Sequence, residues 1–186
     1  MRRALLAAPA VAAILLALPG CEDSKAAEGQ PKPAAAEAQV KGGIGDPVRF
    51  VLAAYDLDKT SPDRLSPEPI RYSGKPEFSP RLRSYFALEE QDAGDEVGRV
   101  DFNIFTGTQD GTIANVKVEA KDVEQAKAPR QVIVATFTNE GVPSEIRYYF
   151  EKIGDRWFLD DISSPGDGKP DGMPPWTLST VLKYGW

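Results

Sequence analysis

Histidine is absent from this 186-residue chain, and cysteine occurs only once, at Cys21. The missing histidine excludes Ser-His-Asp and Cys-His catalytic sites, together with the usual zinc and haem ligand sets. The single cysteine excludes an intrachain disulfide, so a folded domain must be stabilised by its core. A site built from carboxylates is left open, but we predict no cofactor and no metal site.

Clusters of positive charge are also missing. The chain has 22 Lys and Arg against 28 Asp and Glu, a net charge of −6. Nucleic acids and anionic lipid headgroups are bound by clustered cations, so neither is expected as a partner. A net negative surface instead suits a basic partner, because opposite charges steer the encounter.

The first twenty residues have the three zones of a secretory signal peptide. Arg2 and Arg3 supply the positive start, residues 4–18 form an apolar run, and small residues precede Cys21. The run is shorter than the span of about 20 apolar residues that crosses a bilayer comfortably. We therefore predict a signal peptide over residues 1–20.

The segment Leu18-Pro19-Gly20-Cys21 resembles the lipobox of bacterial lipoproteins. The resemblance implies lipidation of Cys21 by a diacylglyceryl thioether and an N-acyl chain, which together make a durable membrane anchor. Glu22 stands where an Asp would retain the protein in the inner membrane. We expect an exported lipoprotein that faces the periplasm, with the outer membrane favoured. The alternative is a plain signal peptide followed by an incidental cysteine.

Composition divides the remaining chain in two. Residues 22–45 hold no aromatic residue and are rich in Ala, Glu, Lys, Pro, Gln and Gly. Such a segment cannot bury enough apolar surface to offset its ordering entropy, so residues 21–45 are predicted to be a lipidated, flexible spacer. Every Trp, Tyr and Phe lies in residues 46–186, which we predict to be a single domain.

Helices are predicted at both ends of this domain. A capping residue followed by proline begins a helix at Asp46 and another at Ser79. The first is expected to end near Lys59 and the second near Gln91, and residues 177–184 are expected to form a short last helix.

Strands are predicted between these helices. Gly154-Asp155 is a two-residue hairpin signal between the third and fourth strands, and residues 139–143 form a longer turn before the third. Because Asp160 and Asp161 are adjacent in the fourth strand, they are expected to point to opposite faces. The four apolar, largely alternating segments are residues 116–121, 132–137, 145–151 and 157–162.

Helices followed by an antiparallel meander indicate an α+β fold. We expect N-terminal helices packed on a curved antiparallel sheet of about four strands, which resembles the cone of the nuclear-transport-factor-2-like (cystatin-like) class. A sandwich is less suitable, because the strands are few and the helices precede them.

Residues 157–162 (Trp-Phe-Leu-Asp-Asp-Ile) and 177–182 resemble an uncharacterised family of bacterial lipoproteins, domain of unknown function 3828. Residues 101–105 followed by Gln109-Asp110 are similar to the central segment of that family. The resemblance covers roughly residues 46–184 and implies the cone-like fold and a lipoprotein context. It implies no activity, because the family has none assigned.

Residues 101–110 are the first candidate site. Their apolar side chains are expected to anchor a loop over the mouth of the cone. Asp101, Gln109 and Asp110 would then line a pocket and bind a polar ligand. The alternative is that these side chains bond to backbone amides of the loop, as is common in turns.

Tyr55 and Asp161 are two further ligand-binding candidates. Asp161, or its neighbour Asp160, would be a functional group if it faced inward among aromatic side chains. The structural alternative is an ion pair with Arg147 or Arg156, or a cap at the end of the strand.

Two tryptophans lie outside the predicted strands. Trp176 and Trp186 are therefore expected to be exposed, where they would serve a partner surface.

Three functions are compatible with these patterns. We favour a non-catalytic binding module that holds a small ligand or a protein partner. An immunity or inhibitor-like lipoprotein with a basic partner is the first alternative. The second is an enzyme that uses carboxylates and tyrosine, which requires two of Asp101, Asp110, Asp160 and Tyr55 to converge in a pocket.

Overall fold

The computed structural model describes residues 41–67, 70–121, 129–168 and 173–186. The predicted signal peptide, the predicted lipidation site Cys21 and the predicted spacer as far as residue 40 lie outside the described residues. No helix within these four ranges is long and apolar enough to cross a membrane.

The described residues form an α+β fold, as predicted, with three helices and one antiparallel sheet. The helices are α1 (Pro47–Ala54), α2 (Pro80–Ala93) and α3 (Leu178–Tyr184), with a short 3-10 turn at Tyr72–Gly74.

The strands follow one another in the sheet in chain order, and each pairs antiparallel with the next. The four predicted strands are confirmed, and a two-residue fifth strand, which was not predicted, precedes the last helix. The strands are β1 (Ile113–Lys121), β2 (Arg130–Asn139), β3 (Val142–Ile153), β4 (Arg156–Ser164) and β5 (Trp176–Thr177).

The predicted caps of α1 and α2 are confirmed. The Asp46 side chain accepts a hydrogen bond from the Val48 amide at 2.9 Å, and Ser79 accepts one from the Leu82 amide at 3.0 Å. Helix α1 is shorter than expected, because the chain turns away after Ala54 and reaches a positive φ of 57° at Asp56.

The turn between β2 and β3 is tighter than the predicted segment 139–143. Glu140 and Gly141 both have positive φ, 50° and 83°, which is the geometry of a two-residue type I′ hairpin. The two strands therefore pair up to Asn139 and Val142.

A bulge in β4 overturns the prediction that Asp160 and Asp161 face opposite sides. Tyr149 pairs with Asp161 and Phe150 with Leu159, so Asp160 is an extra residue in β4. A bulge interrupts the strict alternation of side chains. Consequently one guanidinium nitrogen of Arg81 lies 2.6 Å from the Asp160 carboxylate and 3.5 Å from that of Asp161.

The core joins α1, the sheet and the loop over residues 101–110. The Phe50 ring of α1 lies edge-on to Phe150 of β3, with centroids 6.1 Å apart, and to Phe105 of the loop at 6.0 Å. Ile104 is fully buried beside it in the same core. The apolar residues of the loop therefore anchor it, as predicted.

The outer edge of β4 is covered partly by residues that precede α1. Ile44 is fully buried, and it exchanges backbone hydrogen bonds of 2.7 and 2.9 Å with Trp157. Residues 41–45, which fall within the segment predicted to be a spacer, are therefore part of the folded unit.

Candidate functional site

The loop over residues 101–110 closes on itself through Asn103. The Asn103 amide donates to the Thr108 carbonyl at 2.9 Å, and the Gly107 amide donates to the Asn103 carbonyl at 2.7 Å. The Asn103 side chain accepts from the Phe105 amide at 2.9 Å. These bonds, none of which involves Asp101, Gln109 or Asp110, give the loop a defined conformation.

Two tyrosines fasten this loop to the core. The Tyr55 and Tyr148 hydroxyls lie 2.7 and 2.6 Å from the Phe105 carbonyl oxygen. Burial raises the pKa of Tyr148 and that of Tyr55 above the usual tyrosine value, so both hydroxyls are neutral. Tyr55, predicted to bind a ligand, thus positions the loop and lines neither of the two pockets described below.

Asp101, Gln109 and Asp110 line a common depression, which we call the loop pocket, with a volume of about 480 Å³. The Gln109 amide nitrogen donates to Asp101 Oδ2 at 2.8 Å. The carboxylates of Asp101 and Asp110 are exposed. The remaining lining residues are Phe102, Gly107, Thr108, Asn139, Met173 and Trp186.

An aromatic group borders the loop pocket. The Phe102 ring contacts two indoles, with its centroid 5.1 Å from that of Trp176 and 5.4 Å from that of Trp186. Trp186 is 66% exposed, as predicted, whereas the prediction for Trp176 is wrong, because only 5% of it is exposed. Trp176 is buried because it lies in β5, where it pairs with Ser164 of β4. This pairing places the Trp176 ring in the core.

A second depression adjoins the first at Thr108, Asn139 and Met173, which line both. We call it the turn pocket, and its volume is about 290 Å³. Its other lining residues are Thr106, Glu140, Val142, Ser144, Ile146, Ser164, Gly166 and Asp167.

Asn139 stands at the junction of the two pockets and was not predicted as a site residue. Its Oδ1 atom is buried and has no hydrogen-bond partner within the described ranges. Gly111 leaves room for it, since a Cβ at Gly111 would lie only 2.1 Å from this oxygen. The sequence signal was the Asn-Glu-Gly turn, which indicated a hairpin and nothing more.

Among the described residues that line the two pockets, every charged side chain is acidic. Asp101 and Asp110 line the loop pocket, and Glu140 and Asp167 line the turn pocket. Among the described lining residues there is no Lys or Arg. The combined surface therefore attracts positive charge.

Asp161, the remaining predicted ligand-binding residue, lies outside the lining of both pockets. Its carboxylate accepts from the Ser179 amide at 3.0 Å and from the Ser179 hydroxyl at 2.6 Å, at the start of α3. Asp160 accepts from the Ser79 hydroxyl at 2.7 Å and pairs with Arg81. The two carboxylates thus link β4 to α3 and α2, which is the structural role given as the alternative. The arginine that they contact is Arg81 and not Arg147 or Arg156.

Trp186 was expected to be exposed, but nothing in the sequence pattern grouped it with Asp101 or Asp110.

Within the part of the chain that the structure describes, no group of three or more His, Cys, Asp or Glu side chains is placed to hold a metal ion. Comparisons of the chain with known protein families, curated proteins and solved structures found no match.

Proposed function

We propose that this chain is a lipid-anchored protein of the bacterial cell envelope, and that its folded domain is a non-catalytic binding module. The loop pocket is the proposed ligand site. The observation that carries this proposal is the convergence of Asp101, Gln109 and Asp110 with an exposed indole, Trp186, around one cavity. A cavity with an apolar wall and a few convergent polar groups is the usual form of a binding site.

The way the loop is held supports binding. Tyr55 and Tyr148 contact the Phe105 carbonyl, and Phe105 packs on α1 through Phe50. A loop fixed in advance loses little conformational entropy when a ligand arrives, so more of the contact energy appears as affinity.

The surroundings of the carboxylates favour binding over catalysis. Asp101 and Asp110 do line one pocket, as the enzyme alternative requires, but both are exposed to solvent. Acid–base catalysis usually relies on groups held where water is excluded. Asp160 and Tyr55, the other groups that this alternative needs, are engaged by Arg81 and Phe105.

The proposed location in the cell envelope is based on the segment Leu18-Pro19-Gly20-Cys21. Lipidation of Cys21 would hold the domain at a membrane facing the periplasm, with the outer membrane favoured.

We also propose the cone-like, nuclear-transport-factor-2-like arrangement and membership of the lipoprotein family with domain of unknown function 3828. Bulges in β1 and β4 support the cone, because bulges bend strands.

The inhibitor-like alternative is favoured by one observation, the acidic lining of both pockets. A basic protein partner would be steered toward such a surface, and its binding would weaken as salt is added.

The anchor is tested by mass spectrometry of the mature N-terminus. We expect three acyl chains on Cys21, and we expect Cys21→Ser to release the protein from the membrane fraction. An unmodified thiol in the membrane-associated chain would contradict the anchor while leaving the binding proposal intact.

Binding is tested with the full chain purified in detergent and used to capture small and large ligands from solubilised envelopes. The variant Asp101→Asn/Asp110→Asn is expected to lose the captured ligand. Asp95→Asn/Glu96→Gln is the matched control, because it removes the same two charges from exposed residues outside the pocket lining. Equal capture by both variants would exclude the loop pocket as the site.

A further inference from the structure

The two charged side chains that line the loop pocket, Asp101 and Asp110, are both carboxylates and therefore hydrogen-bond acceptors. Asp101 and Asp110 have no ion-pair partner among the described residues. A ligand that brings N–H or ammonium donors would complement both carboxylates, whereas an anion would bring further acceptors to acceptors.

The aromatic wall of the pocket points to the same chemistry. Elsewhere in the described chain, Lys183 lies 4.1 Å from the Tyr85 ring centroid, and Lys152 lies 5.6 Å from that of Trp157. No described Lys or Arg is placed over Trp186 or Phe102. The exposed indole face of Trp186 is therefore available to a cation supplied by a ligand.

From these observations we infer that the loop pocket binds an organic cation, an ammonium or guanidinium group carried on an apolar stem. The cation would lie against Trp186 and Phe102 with Asp101 and Asp110 as counter-charges, and the stem would contact Met173. This inference rests on the proposed function and specifies its ligand class.

Such a group comes from a free small molecule or from a basic side chain of a peptide. A cavity of about 480 Å³ accommodates either one. The turn pocket continues from it at Thr108, Asn139 and Met173 and carries Glu140. A basic peptide would therefore meet further negative charge beyond the first cation.

The test is isothermal titration calorimetry of the full chain in detergent with two matched pairs of probes. The first pair is choline and its neutral isostere, in which a tert-butyl group replaces trimethylammonium. The second is a capped Gly-Lys-Gly peptide and the same peptide with norleucine in place of lysine. The cationic member of at least one pair is expected to bind about tenfold more tightly than its neutral partner, and the pair with the tighter cation identifies the source.

Variants assign the effect to the pocket. Trp186→Ala and Asp101→Asn/Asp110→Asn are each expected to weaken binding of the cationic probe at least about fivefold. Tyr184→Ala and Asp95→Asn/Glu96→Gln, which change exposed residues outside the lining, are expected to leave it unchanged. Equal binding of charged and neutral probes, no binding of any probe, or insensitivity to the pocket variants would each overturn the inference. Capture of an envelope ligand that depends on Asp101 and Asp110 would still uphold the proposed function, so the two failures are distinguishable.

Discussion

The hydroxyl oxygens of Tyr55 and Tyr148 lie 2.8 Å apart, and both also contact the carbonyl oxygen of Phe105. The two hydroxyls supply only two protons for these three short oxygen–oxygen contacts. When either hydroxyl is removed, the other still donates to the Phe105 carbonyl. This redundancy holds the loop that carries the candidate site, and it makes a specific prediction about non-additive loss of stability.

Tyr55→Phe and Tyr148→Phe are each expected to lower the free energy of unfolding by about 0.5–1.5 kcal/mol, the net value of one hydrogen bond. The double variant leaves the Phe105 carbonyl without either tyrosine donor. It is expected to cost about 1–3 kcal/mol more than the sum of the single variants. Urea unfolding of all four proteins completes the cycle, and strictly additive losses would refute the shared carbonyl.

The second prediction concerns Asp161, which takes the place of a cap for α3. Thr177, at the N-cap position of that helix, makes no capping hydrogen bond with its own side chain, and Asp161 accepts from the Ser179 amide instead. Asp161→Ala is expected to lower the free energy of unfolding by about 0.5–2 kcal/mol, as loss of a helix cap does. Binding to the loop pocket should not change, whereas a selective loss of binding at full stability would restore Asp161 as a ligand-binding residue.

Glu77 supplies a prediction about pH. Its Oε1 accepts from the Ser66 amide at 3.0 Å, and burial, opposed by this bond and by the charge of Lys75, raises the pKa of its carboxyl above the usual value. A carboxyl with a raised folded-state pKa binds a proton more readily in the folded protein. Its contribution to stability is therefore complete below the unfolded-state pKa of about 4.3 and is lost as pH rises through the folded-state pKa.

We accordingly expect the stability of the wild-type protein, relative to Glu77→Gln, to increase as pH falls from neutrality through this window. Chemical unfolding of both proteins at several pH values measures the difference. Glu119→Gln, a change at an exposed glutamate in β1, is the control for general charge effects. A constant difference between wild type and Glu77→Gln across the window would contradict the raised pKa.

Local patterns predicted the parts of the fold that depend on neighbouring residues. The caps at Asp46 and Ser79 and the Gly154-Asp155 turn are set by a few adjacent side chains, and the structure has them as expected. The bulge at Asp160 was not predictable in this way. It is a property of the pairing between β3 and β4, and the Arg81 that contacts both carboxylates is distant in the chain.

The candidate site shows the same division. Asp101, Gln109 and Asp110 lie within ten residues of one another, so a shared loop was sufficient reason to group them. Asn139 and Trp186 join them only because a hairpin turn and the end of the chain pack beside that loop. Such long-range neighbours have no periodicity or spacing that could have marked them.

Trp176 and Trp186 give the last prediction, because both contact Phe102 but differ in burial, with 5% and 66% of each side chain exposed. Trp176→Ala removes a core side chain and is expected to lower the free energy of unfolding by about 3–5 kcal/mol. Trp186→Ala removes a surface group, and we expect a loss below about 1 kcal/mol. Under conditions where both variants are folded, we expect Trp186→Ala to weaken binding of the cationic probe more than Trp176→Ala does. Trp176→Ala is expected to affect binding only through the position of Phe102. Thermal unfolding and calorimetry on the same samples separate the two effects, and a large loss of stability in Trp186→Ala would mean that this indole serves the fold and not a ligand.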